Sequence, residues 1–287
     1  MTAQFFIGTS GWSFPVGEGT WRGHFYPPGT RDELVYYARL FDADEINTSF
    51  YQPLNPNYAE RWVKKTPPDF KFTAKLWQKF THPVMYTETT GEAAAISLAD
   101  VDIFRRGIDP LYQAGKLGAL LAQFPPGFEN DIPNRRLLKA IMQTFGEYPL
   151  AFELRHRSWS DDPATAGLFA GAGVAWVGVD EPIFSNSIAS EVPFTSPLAY
   201  FRFHGCNYED WRHGNVETRY RYLYSETEID ELAGRIKQAA GQATLLFAFF
   251  NNHWQGYAPK NAVELKGKLV SHQPSTGTSG QQTVFNF

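Results

Sequence analysis

The chain has 287 residues, of which 43% are hydrophobic, so it can bury a sizeable core and is neither fibrous nor wholly disordered. Its formal net charge of −4 gives no overall attraction to nucleic acid or to an anionic membrane. The single cysteine, Cys206, excludes an internal disulfide and a multi-cysteine zinc site.

Eight short apolar runs of strand type follow one another along the chain. They are "QFFIGTS", "ADEINTSF", "FKFTAKL", "LGALLAQF", "LAFELR", "AWVGVD", "LAYFRFH" and "TLLFAFFNN". Helical patterns separate most of them: Thr30 with Glu33 predicts a capping box, Pro56 suits a first helical position, and Gly146 and Gly241 suit C-terminal caps. Strands that alternate with helices indicate a parallel sheet, and about eight such units predict an α/β fold, a single (β/α)8 TIM-type barrel.

The barrel is predicted over residues 1–271. The unit after "AWVGVD" is the weakest, because "EPIFSNSIASEVPFTSPL" shows no clear helix. Residues 272–287 are polar and of low complexity, so we expect a flexible C-terminal tail. No internal repeat and no linker divides the chain into two domains.

The loops differ in length at the two ends of the predicted barrel. Connections from a helix to the next strand are short, such as "TPPD" and "AGKL". Connections from a strand to the next helix are long, such as "GWSFPVGEGTWRGHFYPPG", "WQKFTHPVMYTETTG" and "GCNYEDWRHGNVETRYRYLYS". Barrel enzymes place their active sites among the second set of loops, at the C-terminal face of the strands. We therefore expect this face to bind a ligand.

Almost every predicted strand ends in polar or charged residues, and the two-residue period of a strand directs alternate ones inward. The candidate catalytic residues are Glu45, Glu153 and His204. The candidate substrate-binding residues are Trp12, Asn47, Tyr51, Lys75, Gln123, Arg155, Trp159, Asp180, Arg202, Asn251 and Asn252. If the shared faces point inward, these side chains converge on one pocket.

Two glutamates could serve as general acid and base, while the surrounding cations favour an anionic ligand, because arginine grips phosphate or carboxylate oxygens with two hydrogen bonds. We therefore favour a hydrolase-like enzyme that acts on a phosphate-bearing small molecule. One alternative is a carbohydrate-active enzyme that uses Glu45 and Glu153 with Trp12 and Trp159 as aromatic platforms. Another is a non-catalytic module that binds a nucleic-acid fragment. Glu153 and Arg155 could also form a purely structural ion pair.

No cofactor is predicted, and no dedicated protein partner can be inferred. A divalent metal held by Glu45, Glu153, Asp180 and His204 is a weaker possibility, because the chain has no "HExxH" or "CxxC" motif and nearby cations would compete. The longest apolar runs are far shorter than the roughly 20 residues that span a bilayer, and the N-terminus lacks a signal pattern. We therefore expect a cytoplasmic protein without a membrane partner.

Several motifs in fixed order make the chain resemble the domain of unknown function 72 family, also called YecE-like. They include "IGTSGWSF", "FYPPG", "LLAQFPPGF", "AFELRHRSW", "RFHG" and "FFNNHWQGYAPKNA", and they extend over nearly the whole chain. The inserted "PVGEGTW" after Phe14 is longer than the family pattern. The resemblance implies a barrel with a pocket built from the motif residues, and it implies no particular reaction.

Overall fold

Nine parallel strands form the centre of the protein in a computed structural model that describes residues 3–94, 96–214 and 216–270. The strands are β1 (Gln4–Thr9), β2 (Ala43–Ile46), β3 (Lys71–Lys75), β4 (Leu117–Gln123), β5 (Leu150–Glu153), β6 (Ala175–Trp176), β7 (Gly178–Asp180), β8 (Leu198–Phe203) and β9 (Leu245–Phe250). The predicted tail at 272–287 lies outside the described residues.

Helices of varied length lie between the strands. They are α1 (Glu33–Tyr37), α2 (Thr48–Tyr51), α3 (Pro56–Lys65), α4 (Gln78–Thr81), α5 (Pro83–Thr90), α6 (Leu98–Gln113), α7 (Ile132–Phe145), α8 (Arg157–Ser160), α9 (Ala164–Ala172), α10 (Tyr208–His213), α11 (Val216–Arg219), α12 (Glu226–Ala240) and α13 (Tyr257–Val270), with a 3₁₀ turn at Trp254–Gly256. Residues 181–197 contain no helix, as their sequence predicts.

The strands are ordered β6-β5-β4-β3-β2-β1-β9-β8-β7, so the sheet curls round until its two ends meet. Those ends are consecutive in the chain, because the predicted sixth strand is interrupted at Val177. Its first part pairs with β5 and its second part with β8. The TIM-type barrel is therefore confirmed, and the ninth strand arises from this interruption.

The first and last strands of the chain, β1 and β9, are neighbours in the barrel. β1 and β9 pair in register from Gln4 with Leu245 to Thr9 with Phe250. Next to this seam, the fully buried indole of Trp21 donates a hydrogen bond of 2.5 Å to the backbone oxygen of His253. The inserted segment that contains Trp21 thus fastens the loop after β1 to the loop after β9.

Most of the predicted helix ends are confirmed. Pro56 begins α3, and Gly146 and Gly241 are the C-caps of α7 and α12. The capping box at Thr30 was wrong, because Asp32 caps α1 and accepts a hydrogen bond from the backbone of Val35.

The alternation of side chains along the strands creates two layers inside the barrel. The lower layer is apolar and includes Ala43, Leu121, Ala151, Tyr200 and Phe249. Two positions further along the same strands lie Glu45, Gln123, Glu153, Arg202 and Asn251. The polar candidates predicted on these strands therefore point toward the C-terminal end of the barrel interior.

Among the described residues, no helix is both long and apolar enough to cross a bilayer. That the protein works in the cytoplasm stays a prediction.

Candidate functional site

A pocket of about 530 Å³ opens among the loops at the C-terminal ends of the strands. Its aromatic walls are Trp12, Phe14, Phe50, Tyr51, Trp62 and Tyr220. Its polar lining comprises Asn47, Lys75, His82, Gln123, Arg219, Asn251 and His253. The pocket lies at the C-terminal face of the strands, where the long connections in the sequence led us to expect a ligand site.

A larger cavity of about 800 Å³ opens at the opposite end of the barrel, near the start of β1. Its two lysines already have partners: Lys266 pairs with Asp42 at 2.7 Å, and Lys71 donates to the backbone oxygen of Gly115 at 2.5 Å. Neither ammonium is left without a protein partner there, so we place the site at the C-terminal face.

A buried ion pair network lies beneath the pocket and is centred on Arg202. Its guanidinium donates to both carboxylate oxygens of Glu45, at 3.0 and 2.8 Å, and to Oε2 of Glu153 at 2.5 Å. All three side chains are completely inaccessible to solvent. Arg202 therefore joins the two predicted catalytic glutamates to each other and is not free to bind a ligand.

Arg155 is the second cation of this layer. Its guanidinium contacts Oε1 of Glu153 through Nε at 2.8 Å and Nη2 at 2.7 Å, and its Nη1 lies 3.4 Å from Oε2 of Glu181. The predicted pairing of Glu153 with Arg155 is thus present, and Glu181 extends it. Arg155 is also committed to carboxylates of the protein.

Both glutamates are held ionised. Burial alone would raise the pKa of Glu45, but the charges of Arg202 and Lys75 and the hydrogen bonds to Glu45 outweigh it and lower that pKa. Burial would also raise the pKa of Glu153, but the charges of Arg202 and Arg155 outweigh it and hold that pKa well below its usual value. Glu45 and Glu153 are thus matched by Arg202 and Arg155, and Glu181 adds a third carboxylate, whose pKa is raised by burial.

Three hydroxyl groups complete the surroundings of Glu45. Ser10 donates to Oε1 at 2.8 Å, Tyr200 donates to Oε2 at 2.7 Å, and Thr73 lies 2.8 Å from the Tyr200 hydroxyl. Tyr200 was missed in the sequence, although it stands two residues before Arg202 on the same strand face. The two-residue period could have found it.

His204 lies at the end of β8, completely buried. Burial and the nearby charge of Arg202 lower its pKa to about 3, so the imidazole is neutral at physiological pH. Its Nε2 lies 3.3 Å from Nη2 of Arg155 and its Nδ1 lies 2.9 Å from the Asn251 amide. Because both ring nitrogens are engaged, His204 has no free nitrogen for a ligand.

Lys75 differs from the other cations of the site. It ends β3 and lines the pocket, and it forms no hydrogen bond or ion pair with any described residue. Its ammonium lies 5.6 Å from the centre of the Phe50 ring. Burial, with a contribution from Arg202, lowers the pKa of Lys75 to about 7, against the opposing effect of Glu45 and Glu153. Its amine therefore changes charge near neutral pH.

Gln123 reaches the pocket from the end of β4. Its amide oxygen accepts a hydrogen bond of 3.2 Å from Nη1 of Arg202. Because an amide has its acceptor and its donor on opposite branches, the NH2 group of Gln123 is left for the pocket that the residue lines. A buried charge thus fixes the direction of a pocket amide.

Comparison of the sequence with known families identifies the family of the chain. The family described as "Protein of unknown function DUF72" matches residues 6–283. The chain belongs to the DUF72 family. The match extends past the predicted domain boundary at residue 271.

One sequence relative and two solved structures are similar to this DUF72 protein. The UPF0759 protein YunF of Bacillus subtilis (strain 168) is 30% identical over 267 residues, which cover 87% of this chain and 92% of the relative. The structure of the DUF72 family protein TM1631 of Thermotoga maritima MSB8 has a TM-score of 0.80 at 34% identity and covers 93% of this chain and 99% of its own. EF0366 of Enterococcus faecalis V583 has a TM-score of 0.80 at 26% identity, with 97% and 100% covered.

Of the predicted ligand-binding residues, Trp12, Asn47, Tyr51, Lys75, Gln123 and Asn251 line the pocket of this DUF72 protein. The loops contribute others that the sequence did not single out: Phe50, His82, Arg219, Tyr220 and His253. Their positions depend on how the long loops fold back over the barrel, and no strand period describes that.

Three predicted residues lie elsewhere. Trp159 is fully buried and donates to the backbone oxygen of Phe128 at 2.7 Å. Asp180 accepts a hydrogen bond of 2.6 Å from Tyr224, and Asn252 donates to the backbone oxygen of Tyr222 at 2.8 Å. The structure does not bring these side chains to the pocket, and their contacts are those of packing residues.

The residues considered for a metal are also apart. In the described ranges, no three His, Cys, Asp or Glu side chains are grouped so that they could hold a metal ion. Glu45 and Glu153 are separated by the positive charge of Arg202, and Asp180 lies outside the pocket lining. These residues therefore do not fit a metal centre of the kind considered from the sequence.

Proposed function

We propose that this DUF72 protein is a hydrolase-like enzyme that binds a small phosphate-bearing molecule at the C-terminal face of its barrel. One observation carries the proposal: Lys75 and the NH2 group of Gln123 both reach the pocket, and no acceptor among the described residues takes their hydrogens. Phosphate oxygens are strong acceptors that carry negative charge, so they complement both groups.

The pairing of charges supports an anionic ligand. Arg202 and Arg155 are bonded to Glu45, Glu153 and Glu181, whereas the ammonium of Lys75 is bonded to no carboxylate among the described residues and stays available to an incoming anion. Arg219, at the pocket wall, is a further cation that forms no ion pair with any described residue. The role that the sequence suggested for Lys75, Arg155 and Arg202 thus stays with Lys75 and passes from the two buried arginines to Arg219.

Lys75 also supplies a plausible proton-transfer group, because a pKa of about 7 suits general acid catalysis at neutral pH. In hydrolysis of a phosphate ester, water supplies the attacking oxygen and the bond from phosphorus to the leaving oxygen breaks. We assign the Lys75 ammonium to donate its proton to that leaving oxygen. The protons of the attacking water stay on the phosphate product, which returns one of them to the Lys75 amine. The aromatic walls would exclude bulk water and strengthen these interactions.

The alternatives have less support. A carbohydrate-active enzyme with two catalytic glutamates needs carboxyl groups that reach the substrate, whereas Glu45 and Glu153 are fully buried and bonded to Arg202. A nucleic-acid-binding module needs an extended groove, whereas a cavity of about 530 Å³ has the size of a small-molecule site. A short nucleic-acid fragment is the largest polyanion that this pocket suits.

Calorimetric titration with inorganic phosphate and phenyl phosphate at pH 6, 7 and 8.5, together with release of nitrophenol from nitrophenyl phosphate, tests the proposal. Because binding requires the protonated amine, affinity should fall as the pH rises above about 7. Lys75→Met should weaken binding at least tenfold and abolish turnover, while the exposed control Lys64→Met should change neither. Equal binding by Lys75→Met, or no binding by the wild type, would contradict the proposal.

A further inference from the structure

The ring nitrogens of His204 determine what Asn251 presents to the ligand. A neutral imidazole carries one N–H, so one of its nitrogens donates a hydrogen bond and the other accepts one. Both nitrogens of His204 lie within hydrogen-bond range of protein groups. The identity of those neighbours therefore decides which nitrogen holds the proton.

Nε2 of His204 faces guanidinium nitrogens. Arg155 Nη2 lies 3.3 Å away and Arg202 Nη1 lies 3.4 Å away, and these atoms can only donate. The two hydrogens of Arg202 Nη1 have nearer acceptors in Glu153 and Gln123, so Arg155 is the donor to the imidazole. The carboxylate oxygen of Glu153 is 3.7 Å from Nε2, too far for a hydrogen bond. Nε2 therefore accepts and carries no proton.

The proton must then be on Nδ1, which lies 2.9 Å from the branch of the Asn251 amide occupied by Nδ2. An NH2 group cannot accept a hydrogen bond from an N–H group. Rotation of the amide by 180° exchanges its oxygen and nitrogen, and in that orientation Nδ1 donates to Oδ1. In this arrangement every donor around His204 has an acceptor within hydrogen-bond distance.

We propose that His204 is a positioning residue that turns the NH2 group of Asn251 toward the pocket. Asn251 lines the pocket and is 7% exposed, so its outward amide branch is available to a ligand. The inference deepens the proposed function and rests on it, because it identifies the chemistry of the ligand group that this part of the pocket recognises.

Two amides and one amine of the pocket are then all donors. The NH2 group of Gln123 is directed by Arg202, the NH2 group of Asn251 is directed by His204, and Lys75 completes the set. A group with lone pairs only, such as an ionised phosphate, sulfate or carboxylate, satisfies all three. While Lys75 is protonated, a neutral hydroxyl would bring a hydrogen that finds no acceptor among them, so below about pH 7 this donor set should select oxyanions over neutral sugars.

The proton position on His204 can be read directly by NMR of the wild-type protein labelled with ¹⁵N-histidine. Long-range ¹H–¹⁵N spectra distinguish the two neutral tautomers, and the His204 signals are identified by their change in Asn251→Asp. We expect Nδ1–H, unchanged between pH 5 and 8. An Nε2–H tautomer, or a His204 that becomes protonated within that range, would overturn the inference.

Asn251→Asp supplies a binding measurement. It keeps an oxygen for Nδ1–H and replaces the NH2 group with a charged oxygen, so the affinity for inorganic phosphate should fall at least tenfold while the melting temperature changes little. The exposed control Asn57→Asp should bind as the wild type does. Undiminished phosphate binding by Asn251→Asp, or its unfolding, would count against the assigned amide orientation.

The two proposals can fail separately. If the wild type binds no phosphate probe but shows Nδ1–H, the proposed function falls and the amide orientation is upheld. If the wild type binds phosphate through Lys75 but shows Nε2–H, the proposed function is upheld and the orientation of Asn251 falls.

Discussion

The charged layer under the pocket and the lining of the pocket itself lie next to each other, yet their polar groups are used in opposite ways. Below, Arg202 and Arg155 are each bonded to carboxylates within the protein. Above, Lys75 has no such partner among the described residues. The charges that look most catalytic in the sequence are therefore the ones already paired, and the groups left for a ligand include Lys75, Arg219 and the oriented amides.

The largest effect should come from Arg202→Met, which leaves Glu45 and Glu153 buried without their shared cation. We expect a loss of roughly 3–5 kcal/mol in the free energy of unfolding at pH 7, measured by urea denaturation against the exposed control Arg39→Met. In the wild type the lowered pKa of each glutamate contributes stability above its usual pKa, and this is lost as the pH falls.

Without Arg202, burial should raise the pKa of Glu45, whereas Glu153 keeps its two contacts with Arg155. Protonation of Glu45 at low pH would then remove part of the cost of its buried charge, so the difference in unfolding free energy between variant and wild type should narrow between pH 7 and pH 5. A difference that stays constant over this range would show that Arg202 does not set the ionisation of Glu45.

Glu153→Gln should cost less, because each arginine keeps another carboxylate: Arg202 keeps Glu45 and Arg155 keeps Glu181. We expect a loss of roughly 2–3 kcal/mol in unfolding free energy. Phosphate affinity, measured by calorimetry, should stay within a few-fold of the wild type, since Glu153 does not reach the pocket. Complete loss of binding in a folded variant would make Glu153 a ligand-contacting residue and remove the distinction between the charged layer and the pocket lining.

Lys75→Met should instead raise the free energy of unfolding, on the order of 2 kcal/mol at pH 7. Below about pH 7 the folded state carries the full cost of the charged amine. Between pH 7 and 10.5 the unfolded chain still holds a proton that the folded state has released, so the wild type regains stability as the pH rises. The difference in melting temperature should thus shrink at high pH. A destabilised Lys75→Met would mean that the amine contributes to the fold.

The smallest change in stability is expected from Trp159→Phe, which tests a residue outside both the charged layer and the pocket lining. The smaller ring still packs against Phe128, while the lost hydrogen bond to the backbone oxygen of Phe128 and the small cavity left by the indole together cost about 1–2 kcal/mol. Thermal unfolding should show this loss, and phosphate titration should show none. Weakened binding would return Trp159 to the list of candidates.

Strand periodicity predicted the fold and the inward direction of Glu45, Glu153 and Arg202. The same period also explains why Asp180 does not line the pocket: Val177 and Val179 face the barrel interior, so the next residue faces outward. That Arg202 is bonded to Glu45 could not be predicted, because the two stand 157 positions apart and meet only across the closed barrel.

Loop residues were the least predictable part of the site. Tyr220 and Arg219 come from the long connection after β8, whose path depends on packing against the rim. The direction of the Gln123 amide was also beyond the sequence, because it follows from a single hydrogen bond to Arg202.

The seam between β1 and β9 has a consequence for biosynthesis. One wall of the pocket comes from Gly11 to Phe14 and another from Asn251 and His253, so the two ends of the chain must meet before the pocket exists. During synthesis the N-terminal part of the chain emerges from the ribosome long before the C-terminal part, and contacts between residues so distant in sequence form slowly. A nascent chain should therefore remain unable to hold its ligand until synthesis has passed the last strand.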